Sequence, residues 1–358
     1  MRDCILVTGG AGFIGSALSG LICSEKVPVV AVDSMLEQVH PTGQRSEFLD
    51  ERVVLRKNDV RDEEAWKALL EEFYPKKVIH LAAETGTAQS LMESTRHASV
   101  NVVGTTAMLD AFAAAGVVPD RIILASSRAV YGEGLWRDLL TKETFYPAPR
   151  SNAVLSRSQW SPLSPTGNES EALPHEASVV FPKPTSVYGA TKLAQEQILK
   201  AWCGAFGVPL SILRLQNVYG EGQSPYNSYT GIINVFHRVA RSGAPIPVYE
   251  DGLIGRDFVH IQDVAGAFLS VLSDDTTENH LFDVGTGRLT TILDAANMIS
   301  KYHNAPEPQI CGKFRDGDIR SAVADIEKFR SKTGSDPQVS FEEGMKRVGD
   351  WLMASGHI

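Results

Sequence analysis

The stretch Thr8-Gly9-Gly10-Ala11-Gly12-Phe13-Ile14-Gly15 follows an apolar run, Cys4-Ile5-Leu6-Val7, and leads into a segment of helical periodicity. Gly9, Gly12 and Gly15 recur every third residue at what reads as a strand-to-helix turn. Glycine permits the tight turn and lets backbone N–H groups approach a pyrophosphate, and the helix N-terminus that follows favours negative charge. A glycine triplet alone describes any tight turn. Here an acidic residue, Asp33, closes the next apolar run at the distance expected of a group that hydrogen-bonds an adenosine ribose. Ser34 follows it, with no adjacent arginine to take a 2′-phosphate, which favours NAD over NADP. The stretch therefore predicts a dinucleotide site with Gly9, Gly12, Phe13, Ile14, Gly15, Asp33 and Ser34 against the cofactor.

Outward from this loop, apolar runs at 5–8, 29–33, 53–57, 77–81, 121–126 and 210–215 alternate with helical patterns at 14–23, 63–73, 98–115 and 186–206. Strand–helix alternation predicts an α/β fold, a Rossmann-type doubly wound parallel sheet covered on both faces. After about residue 217 the rhythm breaks. Shorter elements follow, which predicts a smaller α/β substrate-binding lobe. The expected division is a cofactor domain over 1–216 with 255–273 returning to it, and a lobe over 217–254 and 274–358. Residues 141–184 are rich in Pro, Ser and Asn with little periodicity, and read as a long insert, either a lid or a partly disordered loop.

The bulk numbers narrow the class of protein. With 358 residues and 43% hydrophobic content the chain can bury a large core. A net charge of −9 speaks against nucleic-acid binding, which needs a basic face. Four widely spaced cysteines and nine unclustered histidines give neither a disulfide framework nor a metal-ligand pattern, so no metal is expected. There is no leader-like N-terminus, and no apolar run approaches the ~20 residues of a spanning helix. The expectation is a soluble, cytoplasmic protein without membrane contact.

Tyr188 and Lys192 are four residues apart in Ser186-Val187-Tyr188-Gly189-Ala190-Thr191-Lys192, and so share a face if that segment is helical. A phenol with a pKa near 10 is a poor base at neutral pH, and a neighbouring ammonium favours the phenolate. Ser127, at the end of the fifth apolar run, could relay a hydrogen bond to a reacting hydroxyl. YxxxK alone is common in any chain. It gains meaning from the glycine loop and the strand-end serine, and Ser127, Tyr188 and Lys192 become the candidate catalytic residues.

With these residues assembled, the sequence resembles the extended short-chain dehydrogenase/reductase family, and within it the nucleotide-sugar 4-epimerases, over nearly its whole length. The anchors are TGGAGFIG, Asn58-Asp59-Val60, His80-Leu81-Ala82-Ala83, Asn101 in SVNVVGT, SSRAVYG and YGATK. The resemblance implies that Asp59 and Val60 border the adenine and that Leu81, Ala82 and Ala83 line the cofactor. Asn101 would hold a water and the helix geometry. Ala125, Ser126, Tyr188, Lys192, Leu215 and Val218 would complete the NAD site. On the substrate side it implies Glu84, Thr85, Ser127 and Arg128 near the sugar, and Asn217 at the diphosphate. Pro247 and Tyr249 would lie against the base, Arg256 and Arg315 on the diphosphate, and Asp318 on the ribose. Two arginine forks facing a diphosphate make chemical sense.

The resemblance also bears on the reaction. Dehydratases of the family carry an Asp–Glu pair beside the catalytic Ser or Thr, and the decarboxylases a Glu; this chain has Arg128 and Ala129 there. The reaction this leaves is inversion at C4 through a transient 4-keto sugar, with NAD as cofactor. The strings AAETGTAQS, QNVYGEGQS, Tyr229-Thr230-Gly231-Ile232-Ile233 and RDGDIRSAVADI are most similar to epimerases acting on dTDP-L-rhamnose, which yield dTDP-6-deoxy-L-talose. The insert lacks a cysteine-containing cluster associated with that subgroup, so UDP-glucuronate and UDP-hexoses stay open as substrates. Readings as a 4-ketosugar reductase or a non-catalytic NAD-binding scaffold compete less well, the latter because Ser127, Tyr188 and Lys192 are all retained. The family resemblance also implies a homodimer. Ala107, Met108, Ala111 and Ala115 offer a small-residue face suited either to that contact or to packing on the sheet.

Overall fold

A computed structural model describes residues 1–23, 27–225, 231–315 and 317–358. The apolar runs become strands β1 (Arg2–Thr8), β2 (Val29–Asp33), β3 (Val54–Lys57), β4 (Phe73–His80), β5 (Arg121–Ser127), β6 (Leu210–Leu215) and β7 (His280–Val284). They form one sheet in the order β7-β6-β5-β4-β1-β2-β3. Every pairing in it is parallel. The chain reverses direction across the sheet between β1 and β4, and in such folds ligands bind in the crevice outside the carboxyl ends at that point.

Strand side chains alternate between two cores. One face takes Val7, Ala31, Ile79, Ile123 and Leu213 under helices α1 (Phe13–Ile22) and, later in the chain, Ile261–Leu272. The other takes Leu6, Val30, Val78, Ile122 and Ile212 under α2 (Glu63–Glu72), α3 (Gly104–Ala115) and α4 (Val187–Phe206). Burial on both faces explains why the strands read as continuous apolar runs and not as alternating patterns. In the smaller lobe, α5 (Ile232–Arg241), α7 (Ile292–His303) and α8 (Phe341–Ala354) enclose a third core around Ile246, Val248, Ile254 and Phe258, with α6 naming Ile261–Leu272.

Three expectations need correction. The division at residue 273 comes too early: β7 is the seventh strand of the main sheet, and Phe282 packs on Phe329 in the first core. No sequence run of six or more apolar residues marks β7, which carries His280 and Asp283. The helix expected over 98–115 is not uniform. It is interrupted by a π-helical turn, Ser99–Val103, which places the buried Asn101. The helical stretch Ser94–Ala115 is also long and apolar enough to cross a membrane by length and hydropathy, contrary to the reading of short apolar runs. Here Met108, Leu109 and Phe112 are core residues against the sheet, and Asn101 and Thr105 are buried in hydrogen bonds. Of the small-residue face, Met108 packs inward and Ala115 is exposed.

The insert is ordered by local polar bonds. Trp136–Asp138 pairs antiparallel with Thr144–Phe145 and Ser170–Ala172. The Asp138 carboxylate accepts from the N–H groups of Leu140 (2.8 Å) and Thr141 (2.9 Å) and from Thr166 Oγ1 (2.8 Å). Bonds of this kind leave no hydrophobic period in a sequence. Arg150 then fastens the insert down. It bonds Glu133 Oε1 (3.1 Å), Glu250 Oε2 (2.8 Å) and the carbonyls of Trp160 (3.0 Å) and Asp318 (2.8 Å), so the insert touches both the cofactor domain and the lobe.

Candidate active site

A cavity of about 1160 Å³ opens along the carboxyl ends of the strands, between the sheet and the lobe. Its floor is the β1–α1 loop. Gly9 has φ +66°, and a Cβ there would lie 2.7 Å from the Ala82 nitrogen, so the loop can press against the end of β4 only with glycine. Gly12 caps α1 without any side-chain bond, which leaves first-turn N–H groups of the helix available. Asp33 closes the pocket at the end of β2. Its Oδ2 accepts from Ala11 N (3.0 Å) and its Oδ1 from Met35 N (2.9 Å), with His40 Nε2 at 3.7 Å. Asp59 is held by Arg61 through a two-point contact, 2.9 and 2.6 Å, which pulls its carboxyl below the usual range. Phe13, Ile14, Gly15, Ser34, Val60, Leu81, Ala82, Ala83 and Val218 complete this wall.

The opposite wall carries Ser127, Arg128 and Tyr188. Ser127 ends β5 and its Oγ accepts from Ala129 N (3.1 Å), turning the chain so that Arg128 faces the cavity. Ser186 caps α4 by accepting from Gly189 N (3.1 Å), and Tyr188 follows on the first turn with its N–H on Ser90 Oγ (3.0 Å). Burial holds the Tyr188 phenol above its ordinary value, while the Ser127 side chain and the Arg128 charge pull it down. Arg128 donates from Nε to Asn217 Oδ1 (2.7 Å). Arg256 reaches Asp318 Oδ1 (2.5 Å) and the Ile319 carbonyl (2.9 Å), and Arg315 lies 5.2 Å over the Tyr249 ring. Glu84, Thr85 and Pro247 line the same space.

Five expected contacts stand behind the wall and do not line it. Lys192 is buried and donates to Gln195 Oε1 (2.5 Å), and Gln195 in turn bonds His80 (3.1 Å) and Thr105 (2.9 Å). Burial pushes the Lys192 ammonium down to about 7 and the His80 imidazole to about 3. Asn101 joins Glu84 to α4: Oδ1 accepts from Glu84 N (2.7 Å), and Nδ2 donates to Glu84 O (3.0 Å) and Thr191 Oγ1 (2.9 Å). Strand alternation turns Ser126 away to Glu196 Oε1 (2.5 Å), and Ala125 and Leu215 join the core.

These features fit a dinucleotide and a second ligand end to end. The floor is a glycine cradle below an uncapped helix. Farther along, Gln216 is buried on the wall with neither amide atom bonded among the described residues, and Gln223 Oε1 and Ser224 Oγ are likewise unpaired. Buried amides without partners are rare enough to point to a ligand that satisfies them.

Comparison with known proteins agrees with this geometry. Residues 6–152 match the family model described as GDP-mannose 4,6 dehydratase, and residues 160–285 the model of the NAD dependent epimerase/dehydratase family. A dTDP-L-rhamnose 4-epimerase of Burkholderia thailandensis is 49% identical over 97% of this chain and 94% of its own length. The chain belongs to the NAD-dependent epimerase/dehydratase family. A putative UDP-glucose 4-epimerase of Methanocaldococcus jannaschii is 30% identical over 97% of this chain and 98% of its own. Among solved structures, the UDP-glucose 4-epimerase of Thermotoga maritima with UDP-glucose aligns with a TM-score of 0.78 at 28% identity, covering 99% of both chains. That of Thermus thermophilus in complex with NAD gives 0.78 at 27%, covering 99% of this chain and 100% of its own. The cofactor of this family member is NAD, and its Rossmann-type fold is that of the extended short-chain dehydrogenase/reductases.

Sequence reading missed several wall residues: His40, Arg96, Gln216 and Arg238. Gln216 stood inside a noted motif, where a polar residue at the end of an apolar strand was the available signal. The others come from loops and a helix face brought in by the fold. Tyr229 and Thr230, noted in one of the family strings, lie outside the described residues.

Proposed function

We propose that the chain inverts C4 of dTDP-L-rhamnose to give dTDP-6-deoxy-L-talose through a transient 4-keto sugar. The observation that carries this reading is the wall on which Ser127 and Tyr188 meet with Arg128, and no acidic residue, next in sequence. Elimination of water needs a second acid or base at that place; oxidation and re-reduction of one alcohol do not. The 49% identical relative supports the choice of sugar.

In this reading Tyr188 takes the proton of the sugar 4-hydroxyl, with Ser127 relaying a hydrogen bond to that oxygen. Bound NAD supplies the hydride acceptor and then the donor at C4. Asn217, Arg256 and Arg315 hold the diphosphate while the keto sugar turns about its linkage, and Asp318 meets the ribose. Tyr188 then returns the proton to the oxygen on the inverted carbon. Gly9, Gly12, Phe13, Ile14 and Gly15 cradle the pyrophosphate, and Asp33 meets the adenosine ribose. Asp59, Val60, Leu81, Ala82, Ala83 and Val218 line the rest of the cofactor. Asn101 and Lys192 act from behind the wall.

The test is to offer dTDP-L-rhamnose, UDP-glucuronate, UDP-glucose and UDP-N-acetylglucosamine separately and follow C4 inversion by proton NMR. Inversion of dTDP-L-rhamnose is the expected result, with near-stoichiometric NAD in the purified protein by absorbance and mass. If no sugar inverts while NAD is bound, the epimerase reading is wrong. A second reading, UDP-glucuronate, is favoured by one feature: among the described residues Arg128 pairs with no carboxylate, which leaves it able to pair with one at C6. The same proposal includes a homodimer through α3, with the π-helical turn before it, and α4, where Val103 of that turn and Phe206 of α4 are exposed, and a cytoplasmic location. Sedimentation and cell fractionation check these.

A further inference from the structure

Arg128 differs from the arginines around it. Arg256 is paired with Asp318, Arg150 with Glu133 and Glu250, Arg320 with Glu250 and Asp251, and Arg96 with Glu84 and Glu93. Among the described residues Arg128 forms no ion pair. Its hydrogen bond goes to a neutral amide, Asn217 Oδ1. A guanidinium stays charged at neutral pH, so this charge is left to the cavity.

The turn that carries Arg128 is also fixed relative to Tyr188. A Cβ added at Gly189 would lie 2.4 Å from the Ala129 carbonyl oxygen, so the first turn of α4 is pressed against the turn that carries Arg128. Arg128 and Tyr188 flank this contact on their two elements, and both face the cavity beside Ser127.

We propose that Arg128 is a second electrostatic partner of Tyr188 beside Lys192, its unshared guanidinium favouring the phenolate form of the base. The proposal rests on the reading of Tyr188 as the base. It adds a role for the residue that stands where the family's dehydratases carry an acid. The carboxylates near the phenol are already committed. Glu84 beyond the end of β4 is bound to Arg96, Asp318 and Arg256 in the lobe hold each other, and Glu133 holds Arg150, while Lys192 on the same helix also bonds a neutral amide, Gln195, and burial lowers its ammonium to about 7. Arg315 lies over Tyr249. Burial, chiefly, pushes the Arg128 guanidinium down to about 9, with Arg256 adding to this and Asp318, Tyr188 and Glu133 opposing it, so it is a cation at neutral pH.

The test is a spectroscopic titration of the phenolate in NAD-loaded enzyme, read as the difference from Tyr188→Phe. Arg128→Met should raise the midpoint by about 1–3 pH units, the range an opposite charge produces in such a site. Arg128→Lys, which keeps a cation, should restore most of the shift. Asn217→Asp sets a carboxylate on the guanidinium and should raise the midpoint with Arg128 still present. An unchanged midpoint in Arg128→Met that retains NAD overturns the proposal. If that variant does not fold, an unchanged midpoint in Asn217→Asp does so. The titration needs no sugar, so failure of every sugar to invert would strike the assigned reaction and leave this measurement to decide the pairing.

Discussion

Along the cofactor side of the cavity the floor is backbone and small side chains: the turn at Gly9, the start of α1 without a side-chain cap and the alanines after β4. Along the sugar side it is made of side chains that hold one another across long stretches of chain, as Arg128 with Asn217 and Arg256 with Asp318, and behind that surface Arg150 holds Glu133 and Glu250. A backbone surface offers hydrogen-bond donors that no substitution except proline removes directly. A side-chain surface can be retuned one residue at a time. One side can thus keep a single cofactor while the other changes substrate.

The largest effect that would sharpen this contrast is expected from Tyr188→Phe. Turnover should fall about 10²–10⁴-fold, the usual weight of a positioned acid–base group, with bound NAD unchanged by mass. Next comes Arg150→Met. It leaves Glu133 buried without its ion-pair partner and Glu250 with Arg320 alone, and breaking such a contact costs about 3–5 kcal/mol, read by denaturant unfolding. The two sides are one mechanical unit, and the comparison breaks, if NAD is lost from this variant before the fold loosens.

Gly9→Ala should cost less, about 1–3 kcal/mol for a strained positive φ, yet it should deplete NAD, because the new methyl drives the loop off Ala82. Retention of full NAD would show that the loop has room to yield. The smallest effect concerns Asp283, behind the sugar side, where its Oδ1 accepts from Tyr131 Oη at 2.7 Å. Burial pushes its carboxyl up to about 7, against about 3.9 in an unfolded chain. Between those values the folded state binds the extra proton, so this group's contribution to stability is present below pH ~4 and declines as pH rises toward 7. Asp283→Asn should flatten that part of the melting-temperature profile; an unchanged slope removes Asp283 as its source.

The same contrast explains what could be read from the chain alone. The six strands expected before residue 216 all form, and the glycine loop lies where its spacing placed it, because local backbone demands are written in contiguous residues. Family strings placed Arg256, Arg315 and Asp318 in the cavity, but not the bond between Arg256 and Asp318. The pairing of Lys192 with Gln195 and the unshared state of Arg128 were also illegible. Each depends on which distant carboxylate or amide the fold delivers, and charge positions carry no period. β7 escaped for a related reason: His280 and Asp283 break its apolar pattern, and they are tolerated because Asp274 and Tyr131 meet them.

The Arg150 contact has a consequence for anyone wishing to redesign this protein. A loop held by its own apolar pattern can be exchanged as a cassette between relatives. This one cannot, because its anchor recognises Glu133 ahead of it and Glu250 far beyond it, and Glu250 also binds Arg320. A working transplant must carry Glu133, Arg150, Glu250 and Arg320 together. Chimeras that move residues 141–184 alone would inherit a buried cation or a buried anion with nothing to answer it.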